Sequence, residues 1–148
     1  MQKNTISAKR SFVTLLIASM LAALGVLSTP AAGYASTSED YPVTEFRLPY
    51  GASLLAGSIT WHYRDVHITG SVKAVSTGKT ARFRAESPDC LTAWQTRTAS
   101  VGTTRGFVVD ETCNYPGGFT IVYIELWDTN GIPLRRAICT ANGCVDRD

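Results

Sequence analysis

The stretch ITWHYRDVHITGSVKAV (Ile59 to Val75) holds both histidines of the chain, His62 and His67, around an Arg64-Asp65 pair. Imidazole and carboxylate together are the groups of acid–base chemistry near neutral pH. His67 and Asp65 are two apart, so they could share one face of a strand. A triad also needs a nucleophile in a defined role, and that spacing alone supplies none. No G-x-S-x-G motif offers a serine. Glu111 and Glu125 sit on candidate strands, but nothing pairs them across one cleft as a glycosidase requires. DTNG (Asp128 to Gly131) resembles the first half of a calcium loop without the later ligands, and a hairpin turn explains it better. There is neither a phosphate loop nor a dinucleotide motif. The expectation is a protein that is not an enzyme, with no cofactor, no catalytic residue and no metal site.

The cysteines point elsewhere. Cys90, Cys113, Cys139 and Cys144 are an even set in a small chain, which reads as two disulfides. Zinc would want tight Cys pairs or nearby His, and only Cys139 and Cys144 are close. No C-x-x-C motif suggests redox work. Taking Leu91 to Thr98 and Gly106 to Thr112 as an antiparallel hairpin brings Cys90 beside Cys113, within disulfide reach after a one-residue shift. Cys139 and Cys144 then close a short loop over an Asn142-Gly143 turn.

These residues must be carried by strands. Val43 to Leu48 is a candidate first strand. Thr80 to Glu86 alternates, with Ala81, Phe83 and Ala85 on one face. Phe119 to Trp127 is apolar on both faces and suits a central strand, with Val122, Ile124 and Leu126 toward the core. Ile132 to Cys139 is its hairpin partner, and Pro133 makes it an edge strand. In the opening stretch the apolar set is odd-numbered through Tyr63 and even-numbered from Val66. Side chains alternate with period two, so Arg64-Asp65 marks a bulge or a tight corner, such as one where the chain passes between sheets. Trp61 and Ile68 should then both point inward. Both histidines fall on polar faces. The pattern predicts an all-β fold: a small antiparallel β-sandwich (Ig-like or Greek-key) of seven or eight strands.

The N-terminus predicts export. Lys3, Lys9 and Arg10 precede the apolar run Phe12 to Leu27, and small residues follow, with Gly33 and Ala35 at the positions a signal peptidase reads. Residues 1–35 are the expected signal peptide, 36–42 a loose N-terminus and 43–148 one sandwich domain. Cleavage after Ala35 removes three of the 14 Lys and Arg and none of the 12 Asp and Glu, so the formal charge moves from +2 to 11 − 12 = −1. That balance gives no argument for nucleic acid or an anionic membrane as partner, neither is expected, and no later stretch could cross a membrane.

Aromatic residues are the remaining signal. Trp61, Tyr63, Tyr123 and Trp127 form the candidate binding surface, since exposed Trp and Tyr suit sugar stacking or a protein interface. VHITGSV (Val66 to Val72), a Cys between later strands and the small exported β-rich chain together resemble small secreted β-sandwich proteins of actinomycetes. CTANGC (Cys139 to Cys144) is similar to the short disulfide loop of neocarzinostatin-type chromophore-binding sandwiches. TWHY (Thr60 to Tyr63) is similar to the Trp-Arg-Tyr turn of tendamistat-type amylase inhibitors. No functional residue is carried over from these families. The sequence therefore leads to a secreted, extracellular binding or structural module for a glycan or protein ligand, with polysaccharide or cell surface as target. The alternatives are a secreted inhibitor of an extracellular hydrolase and a small secreted hydrolase.

Overall fold

Period-two alternation runs through almost every segment of the computed structural model, which describes residues Asp40 to Arg147. The expected signal peptide, the first residues of the loose N-terminus and Asp148 lie outside the described residues. The strands are β1 (Val43–Tyr50), β2 (Ser53–Trp61), β3 (Asp65–Lys73), β4 (Lys79–Ser87) and β5 (Cys90–Leu91). They continue with β6 (Gln95–Ala99), β7 (Thr104–Thr112), β8 (Ile121–Asp128), β9 (Pro133–Thr140) and β10 (Gly143–Arg147). One sheet has the order β1-β2-β3-β7. The six-stranded sheet runs β10-β9-β8-β4, with β5 and β6 sharing the far edge of β4. All pairings are antiparallel, and the two sheets form the expected sandwich. The count is ten because Leu91 to Thr98 divides in two and β10 is added.

The core lies between the sheets. Phe46, Leu48, Leu55, Ile59, Ile68 and Val72 face Ala81, Phe83, Ala85, Val122, Ile124 and Leu126 across it, all buried. The expected inward faces of β4 and β8 are therefore as the alternation set them. Two strand glycines make room at the centre. Phe46, Gly57, Gly70 and Phe107 are cross-strand neighbours in one row. A Cβ on Gly57 would stand 2.7 Å from the Phe46 ring and 2.0 Å from the Thr69 carbonyl oxygen. The phenylalanine rings occupy the space the glycines leave, and Phe83 meets both rings, at 6.5 Å from Phe46 and 4.8 Å from Phe107.

The odd-to-even switch is a hairpin. Trp61 pairs with Val66, the His62 N–H donates to the Asp65 carbonyl at 2.9 Å, and β2 and β3 stay in one sheet. The corner is thus tight, and the chain does not change sheets there. Trp61 and Ile68 both face the core. Asp40 to Pro42 leads in alongside, with the Pro42 carbonyl accepting from Trp61 N–H at 2.9 Å and the Tyr41 ring 4.2 Å from His62.

Two expectations are corrected. Leu91 to Thr98 and Gly106 to Thr112 are not a hairpin: β6 pairs with β4 and β7 with β3, so the chain crosses between sheets after Ala99. Each sheet edge offered a fuller ladder than the two segments offered each other. They still run side by side, bridged by Arg97 to the Val108 carbonyl (3.2 Å) and Arg105 to the Thr98 carbonyl (3.1 Å). Cys90 and Cys113 are bonded as expected, with Cα atoms 5.9 Å apart, but the bond ties one sheet to the other. Nor is β9 an edge. It lies between β8 and β10, and Pro133 is tolerated because it is the first residue of the strand, at a register shift opposite Trp127. Cys139 and Cys144 are bonded directly across the β9–β10 hairpin, with Cα atoms 4.0 Å apart. The opposite flank closes too, through Thr44 Oγ1 donating to the Thr140 carbonyl at 2.8 Å.

Candidate functional site

Strand alternation decides which side chains the outer face of the six-stranded sheet carries. With Ala81, Phe83 and Ala85 inward, β4 turns Thr80, Arg82, Arg84 and Glu86 outward. With Val122, Ile124 and Leu126 inward, β8 turns Ile121, Tyr123, Glu125 and Trp127 outward. Register then aligns Arg147, Arg136, Glu125, Arg82 and Thr96 in one cross-strand row, and Val145, Ile138, Tyr123 and Arg84 in the next.

Trp94 completes the second row through a bulge. Leu91 pairs with Glu86 and Gln95 with Phe83, so the edge strand takes four steps where β4 takes three. The Thr92 hydroxyl accepts the Ala85 N–H at 3.0 Å, and the Thr92 N–H donates to the Ala85 carbonyl at 3.0 Å. This extra residue re-aims the strand and places Trp94 over the arginines of β4.

The result is an interleaved stack. The Arg82 guanidinium lies 4.5 Å from the Trp127 ring centroid and 4.6 Å from that of Trp94. Arg84 lies 4.8 Å from Trp94 and 5.1 Å from Tyr123. Each contact is worth about 0.5–1 kcal/mol at a part-exposed site. Beneath them sits the buried carboxylate of Glu125. It accepts from the Trp127 indole N–H at 2.7 Å and from Arg136 Nε at 2.8 Å, with Arg82 3.9 Å away. Partial burial, and then the Glu86 carboxylate that its hydroxyl meets, push the Tyr123 phenol above its ordinary pKa. Arg84, Trp94, Tyr123 and Glu125 form one side of a recess of about 370 Å³, with Arg136, Ile138 and Arg147 on the other.

The four expected surface aromatics do not share one place. Tyr123 and Trp127 stand on this face. Trp61 is 6% exposed in the core, where its indole N–H donates to Thr44 Oγ1 at 3.0 Å. Tyr63, 65% exposed, sits in the β2–β3 turn. Trp94 belongs to the site and was not among the expected residues. Its outward position depends on the bulge, and the pairing of Thr92 with Ala85 leaves no local pattern.

The histidines face different acids. His67 Nδ1 pairs with Asp110 on the outer face of the four-stranded sheet, and His62 Nε2 lies 4.0 Å from Asp65 in the turn. Asp128 Oδ1 accepts the N–H groups of Asn130 and Ile132 (2.9 and 2.8 Å), so the DTNG carboxylate serves its own hairpin turn. Glu111 and Glu125 do not meet: Glu125 is on the outer face of the six-stranded sheet, and Glu111 shares the inward face of β7 with Phe107 and Val109. Glu111 is buried between the sheets with Oε1 lacking any hydrogen-bond partner. Burial pushes its pKa up, against the opposing effects of Gln95, Thr92 and Arg97. Among the described residues no group of three or more His, Cys, Asp or Glu side chains is placed to hold a metal ion.

No family model matches this chain, and neither a curated protein nor a solved structure is similar to it.

Proposed function

We propose that the protein is a secreted, non-catalytic binding module that holds an extracellular polysaccharide against the outer face of its six-stranded sheet. The observation that carries this reading is the stack of Trp127, Arg82, Trp94, Arg84 and Tyr123 beside an open recess. Rings and guanidinium groups held by one another lose little side-chain freedom when a ligand arrives, which favours affinity. The backbone beneath is equally firm, since β4 and β8 are interior strands of the sheet. The leader at Met1 to Ala35 and the two disulfides support an oxidising, extracellular setting.

A second reading, an inhibitor of an extracellular hydrolase, is favoured by the β2–β3 turn. Tyr63 projects there beside Arg64, whose carbonyl accepts the Cys113 N–H at 2.7 Å. Gly118 packs against the same turn so closely that a Cβ would stand 2.6 Å from the Tyr63 carbonyl oxygen. A rigid, exposed tyrosine is a good interface anchor.

Native affinity electrophoresis through gels containing polysaccharides separates the two. The first reading expects retardation that Trp94→Ala weakens and Tyr63→Ala leaves intact. Inhibition of a protease or amylase that Tyr63→Ala abolishes, with no glycan retarding the protein, would replace it by the second.

A further inference from the structure

Resting on the polysaccharide reading, we infer that the recess beside Trp94 and Tyr123 binds the anionic group of an acidic polysaccharide, a uronate carboxylate or a sulfate ester, through Arg84, Arg136 and Arg147. The rings themselves argue against a bare stacking platform. Trp127, Trp94 and Tyr123 each already carry a guanidinium over the ring, so those faces are not open to a neutral sugar. What the stack offers solvent beside its rings is positive charge and N–H donors.

The lining of the recess carries a local excess of positive charge. The recess is lined by three arginines and one carboxylate, Glu125, a formal +3 − 1 = +2. The chain from Ser36 onward carries −1. Glu125 is already engaged by Arg136 and flanked by Arg82. Arg84 is held by ring faces instead of a carboxylate, and its buried Nε has no acceptor. A guanidinium kept in place by ring faces and not by an ion pair is a preorganised partner for an anion, and its planar fork matches carboxylate and sulfate oxygens. Nucleic acid is tracked by a basic stripe along its phosphates, whereas the three arginines here gather at one recess.

The test is native affinity electrophoresis of the disulfide-bonded protein in gels holding polygalacturonate, dextran sulfate or neutral dextran. Polygalacturonate or dextran sulfate should retard the wild type and dextran should not, and whichever acts identifies the anion. Arg147→Gln and Arg136→Gln should each weaken that binding about tenfold, the effect of one charge-assisted hydrogen bond. Arg47→Gln, an equal change of net charge on the other sheet, should leave it unchanged. Raising salt from about 0.05 to 0.5 M should weaken it further. Retardation by dextran alone would overturn the anionic assignment while the polysaccharide reading stands. Equal losses from Arg47→Gln and Arg147→Gln would overturn the recess as the place. Retardation by none of the three, or equal binding of duplex DNA, would overturn both.

Discussion

Glu125→Gln should weaken the fold and strengthen the proposed binding at once. The carboxylate accepts two short bonds, from Trp127 and from Arg136, in a buried setting. An amide keeps one acceptor and turns a donor toward the other N–H. A charge-assisted bond is worth about 1.5–3 kcal/mol, and the unmet donor adds to its loss. Arg136 is 50% exposed and can turn to water, which discounts the penalty. The net expectation is a loss of about 2 kcal/mol, or roughly 8–16 °C in Tm for a domain of this size. Removing a negative charge about 5 Å from a bound anion in a water-like medium is worth about 0.8 kcal/mol, so polygalacturonate should bind about fourfold more tightly. Thermal unfolding and affinity electrophoresis of one preparation read both. A Tm within about 2 °C of wild type would refute the network. A loss of binding alongside the loss of stability would mean that Glu125 supports the ligand site instead of opposing its charge. Replacing Glu125 and Arg136 together with leucine should recover part of the stability, since no charge is then left buried alone.

Glu111→Gln should raise stability by about 1 kcal/mol near pH 7. The folded pKa of Glu111 lies above its unfolded value, so its contribution is full at pH below the ordinary carboxylate range and is lost as pH rises through the folded pKa; melting at pH 4.5 and 7.5 should show the variant's advantage growing with pH, and parallel profiles would refute it. Gly57→Ala should cost about 2 kcal/mol or more although alanine is ordinarily favoured over glycine in a strand, because the new methyl meets backbone and the Phe46 ring, and an unchanged denaturation midpoint would show that the row can spread. Replacing Cys90 and Cys113 by alanine should cost about 3 kcal/mol, and replacing Cys139 and Cys144 about 2, by the loop lengths they close; chemical denaturation of each pair decides, and a reversed order would show that the inter-sheet tie is strained.

Much of the sandwich was legible because alternation is local. The faces of β4 and β8, the corner before Val66 and the Cys139–Cys144 loop follow from period-two spacing and short-range turn chemistry, whereas Cys90–Cys113 forms without the hairpin from which it was expected. Strand partners do not follow from such local signals. Whether Gly106 to Thr112 pairs with its neighbour in sequence or with β3 depends on which edge presents the longer ladder, and the edge of β3 takes nine residues of β7. Pro133 reads locally as an edge signal, yet only its own N–H is missing, at a position where the ladder has already shifted. Two local signals conflict at Trp61: its register points inward, and its ring type suits a surface. The first prevails because Ile59 and Trp61 share a face and Ile59 is wholly buried. Ring type says what a residue can touch, and its parity in the strand says what it does touch.

The two outer faces of the sandwich differ in a way that bears on function. At its centre the four-stranded sheet turns out Ser58, Thr60, Thr69 and Ser71, small hydroxyl side chains of which Ser58 pairs with Thr69 at 3.3 Å, with the charged Glu45, Arg47, Lys73 and Asp110 around them. Such a face keeps a sheet soluble at little cost in side-chain entropy. The six-stranded sheet instead turns out two tryptophans, a tyrosine and four arginines, and the arginines are among the residue types most costly to order on a surface. Cation–π contacts of about 0.5–1 kcal/mol each roughly offset that cost and leave little surplus for the fold. Solubility would be served as well by threonine and lysine. The arrangement is therefore better explained by the proposed binding than by what it contributes to stability, and Arg147→Gln, which leaves the Glu125 bonds in place, should leave melting nearly unchanged while binding weakens about tenfold.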